Sequence, residues 1–380
     1  MKEAINCGET KKKSSRYQSG AFHPFEIAFC GFSGSGKTTL IEKLVSKLSL
    51  KLSIAYVKHD AHGFQMDKEG KDTFRISHAG AKGVFINHGH ESAFLDNRES
   101  DKYRQPQNFS EFDMLIVEGY KESAMPKILL LDIDKKILEE YKAGRITNVL
   151  AVVGADAKLD LNVPYFQRDQ IQQIEEFINN YFLEKVQSKP INGLVLVGGK
   201  SSRMGKDKSM LAYHGETQTQ HVAKLLSGFC KEVFVSVREN RPELKLPQIA
   251  DKYLDIGPMG GILSAMRQDP EAAWLVMACD LPFATNETLD YLIKNRNPFR
   301  NGTAFISVED GFPEPLCAIY EPKALLSLLW FLGIGYNCPR KVMINSRIEL
   351  LNSPNINWLK NANTPEEYEM AKEVFQKGNS

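Results

Sequence analysis

The segment GFSGSGKT, Gly31 to Thr38, matches G-x-x-x-x-G-K-[ST] at every fixed position. It constrains the fold because such a loop works only where a strand ends and a helix begins. Its glycines let successive backbone N–H groups turn toward one point, and the following helix adds positive potential there. The flanks agree. Phe25 to Phe29 (FEIAF) reads as a buried strand, and TTLIEKLVSKL carries Leu40, Ile41, Leu44, Val45 and Leu48 at helical spacing. A chance glycine-rich turn would require neither. Gly31, Ser33, Gly34, Ser35, Gly36, Lys37, Thr38 and Thr39 are therefore candidate phosphate contacts, with Lys37 supplying charge at the β/γ-phosphates and the Thr38 hydroxyl holding Mg²⁺.

A second glycine loop follows another apolar run, in LVLVGGKSSRMGKDK from Leu194 to Lys208. Gly198 and Gly199 leave the strand end open to a triphosphate. Arg203 and Lys208, with Lys206 between them, can converge on a polyanion whose charge grows as pyrophosphate leaves, and Gly205 lets the loop fold over it. This pattern suits attack at an α-phosphate, whereas the first loop grips β/γ-phosphates. The competing reading is an Arg and two Lys on a solvated turn.

Length and composition set bounds. A chain of 380 residues, 42% hydrophobic and 25% charged, has room for two or three domains, each with its own core. A net charge of +1 gives no electrostatic argument for nucleic acid or a membrane surface as partner. The six cysteines form no C-x-x-C pair, which fits a reducing cytoplasm. No apolar run reaches the roughly 18 residues needed to span a bilayer. Residues 1–24 read as a polar tail.

Between the loops, Ile54 to Lys58 reads as a second strand running into His59, Asp60 and His62, either ligand-edge groups or hydrogen-bonded turn residues. GKDTFRISHAGAKGVFIN suggests a helix entering a third strand, with Asp72 and Arg75 on one helical face. The strand FDMLIVEGY (Phe112 to Tyr120) ends in Glu118, a candidate for the Mg²⁺ shell beside a phosphate loop. Further strands are expected at Lys127 to Asp132 and Asn148 to Asp156, and Asp156 is a weak base-reading candidate because no N-K-x-D flanks it. A helix from Asp169 to Tyr181 closes the unit, and residues 184–190 (EKVQSKP) read as a linker. From Ile191 the pattern restarts, with strands at Leu194 to Val197, Glu232 to Val237 and Trp274 to Cys279. Helices are expected at Thr219 to Phe229 and Gly260 to Arg267. The fold class is thus α/β, two doubly wound domains: a P-loop NTPase-like domain over 25–183 and a Rossmann-like nucleotide-handling domain over 191–380. Asp280 leaves the third of these strands where a hard cation could bind, or else caps the turn before Pro282.

Taken together, the GG…RMGKDK loop, IADKYLDIGPMGGI, CDLPF, PEPLCAIY and NANTPEEY make the second half resemble molybdenum cofactor guanylyltransferase. That family joins GMP from GTP to molybdopterin and releases pyrophosphate. The resemblance implies GTP contacts at Leu196, Val197, Gly198, Lys208, Asp251 and Asp280, with Asp280 also holding Mg²⁺, and cofactor-side asparagines at Asn361 and Asn363. Two positions depart from the family pattern. Val197 stands where alanine is frequent, and Ser236 where asparagine follows the second strand, so a hydroxyl replaces an amide. The first half, through GFSGSGKTTL, KHDAHGF, GKDTFR and VEGYK…PKI, is similar to the molybdopterin-guanine dinucleotide adaptor protein, a GTP-binding family.

Both resemblances imply one pathway. They predict a fusion that uses GTP and Mg²⁺, acts on molybdopterin, and meets apo-molybdoenzymes and cofactor-insertion proteins. The rivals are a cytidylyltransferase or sugar-phosphate nucleotidyltransferase of the same fold, and a chain that chiefly delivers cofactor in a GTP-dependent way. The sequence offers no clear water-orienting glutamine or arginine finger for rapid GTP hydrolysis.

Overall fold

A computed structural model describes residues 22–59, 64–98, 105–155, 159–197, 216–362 and 367. The chain divides into two compact units, one of Ser15–Phe109 with Met114–Gln173, the other including Ser110–Asp113 and Ile174–Ser380.

The first unit contains β1 (Glu26–Cys30), α1 (Lys37–Leu48), β2 (Ile54–Lys58), α2 (Asp72–His78), β3 (Gly83–His88) and β4 (Glu91–Asp96). It continues with α3 (Gln105–Phe109), β5 (Met114–Glu118), β6 (Lys127–Leu130), α4 (Lys136–Lys142), β7 (Val149–Gly154) and β8 (Tyr165–Gln167). Six strands form one sheet in the order β2-β5-β1-β6-β7-β8, and every pairing is parallel. Residues of β1, β5 and β6 are buried throughout, as expected of strands covered on both faces. Helix α1 lays Leu40, Ile41, Leu44 and Leu48 into the core at i, i+4 spacing.

Two expectations change here. Helix α2 and strand β3 form where the sequence suggests, but β3 does not join the main sheet. It pairs antiparallel with β4, His88 facing Glu91 across a turn at Gly89 (φ 56°) and His90. That tight turn brings a partner strand within two residues, so the ladder of β3 is satisfied locally. Phe22 and His23, inside the stretch read as a tail, are buried, and both of their N–H groups donate to the Glu26 carboxylate.

Helix α5 (Ile171–Gln187) runs into the segment read as a linker, through residue 187. The second unit then carries β9 (Ile191–Leu196), α6 (Gln218–Ser227), β10 (Val233–Val237), β11 (Gln248–Ala250), α7 (Pro258–Gln268) and β12 (Ala273–Ala278). After these come α8 (Asn286–Lys294), β13 (Gly302–Ile306), β14 (Pro313–Tyr320), α9 (Ala324–Gly333), α10 (Pro339–Ile344) and β15 (Ile348–Leu351). The sheet order is β11-β10-β9-β12-β14-β13-β15. Strand β14 runs antiparallel to both neighbours, which makes this sheet mixed.

Alternation along the strands sorts side chains into two cores. Val195, Leu275 and Met277 pack with Val222 and Leu226 of α6 and Leu289 and Leu292 of α8. Leu194, Leu196, Trp274 and Val276 pack with Ile262 and Met266 of α7 and Leu328 of α9. The sequence therefore reads as continuous apolar runs because both faces are covered. Leu275 is fully buried on the central strand β12. Leu275→Ala should cost about 2–5 kcal/mol, measured as a fall in the urea midpoint of the second unit's transition.

Candidate functional site

In the first unit the loop Gly31–Gly36 joins β1 to α1. Gly34 (φ 75°) and Gly36 (φ 83°) are left-handed, which only glycine adopts without strain. A Cβ at Gly31 would lie 2.5 Å from Ser35 Oγ and 2.7 Å from Leu130 O, so the loop's first glycine is required by close packing. The N-cap Gly36 supplies no side-chain hydrogen bond to the helix start. The first N–H groups of α1 therefore have no side-chain cap to compete with a ligand. Lys37 Nζ donates to Phe32 O (3.0 Å) across the loop.

Glu118 ends β5, the strand beside β1, and is buried at 6% exposure. Its carboxylate accepts from Thr38 Oγ1 (3.1 and 3.3 Å) and from Tyr56 OH on β2 (2.8 Å). Burial, then the Glu118 carboxylate, holds the Tyr56 phenol above its ordinary range, so it stays protonated as a donor. The sequence put Thr38 and Glu118 in one shell, and they meet; Tyr56 was missed, although it stands two residues before the end of a strand flanking that carboxylate. Thr38 and Glu118 form an oxygen-only donor pair of the kind Mg²⁺ takes beside substrate phosphates. His59 follows β2, its N–H donating to Glu118 O and its ring against Tyr120. Asp72 and Arg75 are exposed and 4.0 Å apart, a surface pair. Asp60, His62 and Asp156 lie outside the described residues.

In the second unit β9, β10, β11 and β12 are parallel, so their carboxyl ends share one edge. Register fixes the row: Ser236 pairs with Leu196, Val237 with Ala250, and Ala278 with Leu196. Leu196 and Val197, Ser236, Asp251 and Asp280 thus stand at the ends of four neighbouring strands. Strand order reverses about β9, so the crevice at the ends of β9 and β12 is where an open α/β sheet takes its ligand.

Ser236 Oγ donates to Asp251 Oδ1 (2.6 Å). Burial raises the Asp251 carboxyl, while the Ser236 hydrogen bond and the Arg238 charge oppose the rise. The hydroxyl at 236 therefore has a partner, where the sequence left its bond open. Asp280 is half-buried, and its carbonyl accepts from Ala362 N (3.0 Å), which brings Asn361 to the same end of β12. The adjoining Trp358 anchors that segment against Phe305 and Tyr291. Gly198, Gly199, Arg203, Gly205, Lys206, Lys208 and Asn363 lie outside the described residues.

Sequence reasoning singled out PEPLCAIY without singling out Glu314. Met277 of β12 faces Cys317 of β14, and beyond that pair Glu314 comes within electrostatic reach of Asp280. Arg340 binds Glu314 (3.1 Å) and Asp310 (2.7 Å). Burial raises the Glu314 carboxyl and Arg340 opposes this, with the Asp280 charge adding to the rise. Its signal was an acidic residue inside an otherwise apolar strand. Among the described residues no three His, Cys, Asp or Glu side chains converge as a metal cage, and no helix is long and apolar enough to cross a membrane.

Residues 26–155 match the family described as Molybdopterin guanine dinucleotide synthesis protein B, and residues 193–343 match the MobA-like NTP transferase domain. A molybdenum cofactor biosynthesis bifunctional protein of Synechocystis is 37% identical over 187 residues, 48% of this chain and 54% of that protein. The aligned part thus spans about half that relative's length. A molybdopterin-guanine dinucleotide biosynthesis adapter protein of Haemophilus influenzae is 32% identical over 162 residues, covering 41% of this chain and 88% of that protein. A protein of Bacillus cereus named as a probable molybdenum cofactor guanylyltransferase is 28% identical over 190 residues, 47% of this chain and 94% of the other.

The Ser236–Asp251 pair depends on Gly261 of α7. A Cβ there would lie 2.3 Å from Ser236 Oγ and 2.8 Å from Leu196 Cδ2. Overpacking of this kind costs about 1–3 kcal/mol, against a gain of about 1 kcal/mol from replacing a helical glycine. Ser236 cannot swing away without giving up Asp251, so the clash should win. Gly261→Ala should lower the urea midpoint, whereas Gly333→Ala in α9, where a Cβ meets nothing within 4 Å, should be neutral or stabilising.

Proposed function

On the premise that the chain belongs to the family of molybdopterin guanine dinucleotide synthesis protein B and carries in its second half a MobA-like NTP transferase domain, we propose that the second unit transfers GMP from GTP to molybdopterin. The products are molybdopterin guanine dinucleotide and pyrophosphate. The first unit is, in this reading, a GTP-binding adaptor on the same polypeptide. The observation that carries the reading is the row Leu196–Val197, Ser236, Asp251 and Asp280 on four adjacent parallel strand ends, with Asn361 tethered beside Asp280.

In the reaction, an oxygen of the molybdopterin phosphate bonds to the α-phosphorus of GTP as the bond to the oxygen bridging the β-phosphate breaks. Pyrophosphate leaves with that electron pair. No covalent enzyme intermediate is needed, so the chain's task is alignment and charge. Leu196 and Val197 contribute nucleotide contacts with Ser236 and Asp251, and Gly198 and Gly199 join them by their place in the sequence. Arg203 and Lys208 offset charge as pyrophosphate departs. Asn361 and Asn363 are assigned to the cofactor by the family resemblance. Mg²⁺, held by Asp280 with substrate phosphates in the second unit and by Thr38 and Glu118 with phosphates in the first, would supply charge neutralisation; the oxygen donors at both places fit it.

A second reading, GTP-dependent delivery of cofactor to apo-molybdoenzymes through cofactor-insertion proteins, draws on the complete phosphate loop and the Thr38–Glu118 contact. The two are compatible within one cytoplasmic chain.

The test is purified chain with GTP, Mg²⁺ and molybdopterin, assayed for dinucleotide and pyrophosphate, with CTP as the competing nucleotide. Asp280→Ala should cut product formation on the order of 10²-fold or more, by analogy with losing a transition-state charge partner. Lys37→Ala should leave it nearly intact. Full turnover by the Asp280 variant, or preference for CTP, would remove the guanylyl assignment.

A further inference from the structure

The first unit holds a cation at its phosphate loop that the family resemblances did not bring in. Arg168 directly follows β8. Its own N–H donates to Gly154 O (3.1 Å), at the end of β7, and its Nη2 donates to Leu131 O (2.7 Å), just beyond β6. With the backbone anchored at the end of β7 and the guanidinium just beyond β6, the side chain reaches the start of α1. A Cβ placed on Gly36 would lie 3.4 Å from Arg168 Nη1. The sequence alone hides this, because 132 positions separate Arg168 from Gly36.

Three observations point the group at a ligand. Among the described residues no carboxylate stands within ion-pair distance of Arg168, so its charge is not spent within the unit. Arg168 and Lys37 flank a helix start whose N-cap offers no side-chain acceptor. Ser35 Oγ, in a residue 1% exposed at the centre of the loop, has no hydrogen-bond partner among the described residues. A planar guanidinium with five N–H donors, only one of them bound to Leu131 O, suits phosphate oxygens.

Sheet order says which part of the nucleotide it meets. Glu118 and Thr38 lie on the β5 side of β1, whereas Arg168 follows β8, on the far side beyond β6 and β7. A nucleotide whose terminal phosphates meet Lys37 and the Thr38–Glu118 side therefore runs its α-phosphate and ribose toward β6–β8. We propose that Arg168 is a nucleotide-binding residue of the first unit, a clamp on the α-phosphate end of a guanine nucleotide rather than a group acting on the γ-phosphate. This rests on the reading of the first unit as a nucleotide-binding adaptor.

The test is calorimetric titration of the full chain with GTP and with GDP. The binding event abolished by Lys37→Ala belongs to the first unit. In Arg168→Ala that event should weaken about tenfold to a hundredfold for GTP and GDP alike, as expected for a lost charge-assisted hydrogen bond. Arg168→Lys should recover part of it. Added salt should weaken wild-type binding more than binding to Arg168→Ala, a difference that a purely structural brace would not produce. The nucleotide-free thermal midpoint should fall only slightly, since Arg168 is an exposed residue and water can take over its bond to Leu131 O. Unchanged affinity in Arg168→Ala, or weakening confined to GTP, overturns the assignment. If wild type has no event sensitive to Lys37→Ala, the nucleotide reading of the first unit fails, and this inference falls with it.

Discussion

Parallel pairing is the constraint from which both sites follow. A strand in a parallel ladder cannot return through a tight hairpin, so each crossover delivers its loop to the same carboxyl edge. In the first unit the six strands of the main sheet obey this, and the phosphate loop, Glu118, Leu131 and Arg168 arrive at one edge from β1, β5, β6 and β8. In the second unit β9 to β12 obey it, and the row from Asp251 to Asp280 results. Burial on both faces gathers the polar chemistry at the strand ends and the loops that follow them. That explains why strands that carry no function read so strongly as apolar runs.

At those edges the polar groups are held by short networks, each centred on a carboxylate. Glu118 is kept between Thr38 and Tyr56, and Asp251 against Ser236. Both carboxylates give up solvent and recover a hydroxyl donor, the arrangement that makes burying an acid tolerable. Cysteines show the opposite case. Burial pushes the Cys30 thiol up to about 11 and the Cys230 and Cys317 thiols to about 12, so these sulfurs are packing groups, not nucleophiles.

Much of this was legible in sequence because it is local. The strand-loop-helix around Lys37, the acidic strand ends at Glu118 and Asp280, and the two-unit α/β pattern are each set by neighbours in the chain. Contacts made between distant strands were not legible. Tyr56 reaches Glu118 across 62 positions and Arg168 reaches Leu131 across 37. The antiparallel insertion of β14 brings Glu314 within electrostatic reach of Asp280, and no periodicity signals that a strand will run backward. The same limit explains β3, whose apolar residues suit a core strand while its two-residue turn commits it to β4.

The helix starts separate the tasks of the two glycine loops. In the first unit α1 begins at Lys37, directly after the loop, with no side-chain cap, so its N–H groups and dipole face whatever the loop holds. Among the described residues of the second unit the next helix after β9 begins at Gln218, and it caps itself. Thr217 accepts from Gln220 N, and the Gln220 side chain accepts from Thr217 N. Those donors are already engaged. A helix start that holds phosphates through fixed dipoles binds a nucleotide without needing to change as charge moves. In the guanylyl-transfer reading proposed above, the charge of a departing pyrophosphate falls to side-chain cations, for which the second unit's sequence offers Arg203, Lys206 and Lys208. On that reading the first loop retains a nucleotide through fixed dipoles, and the second lets one react.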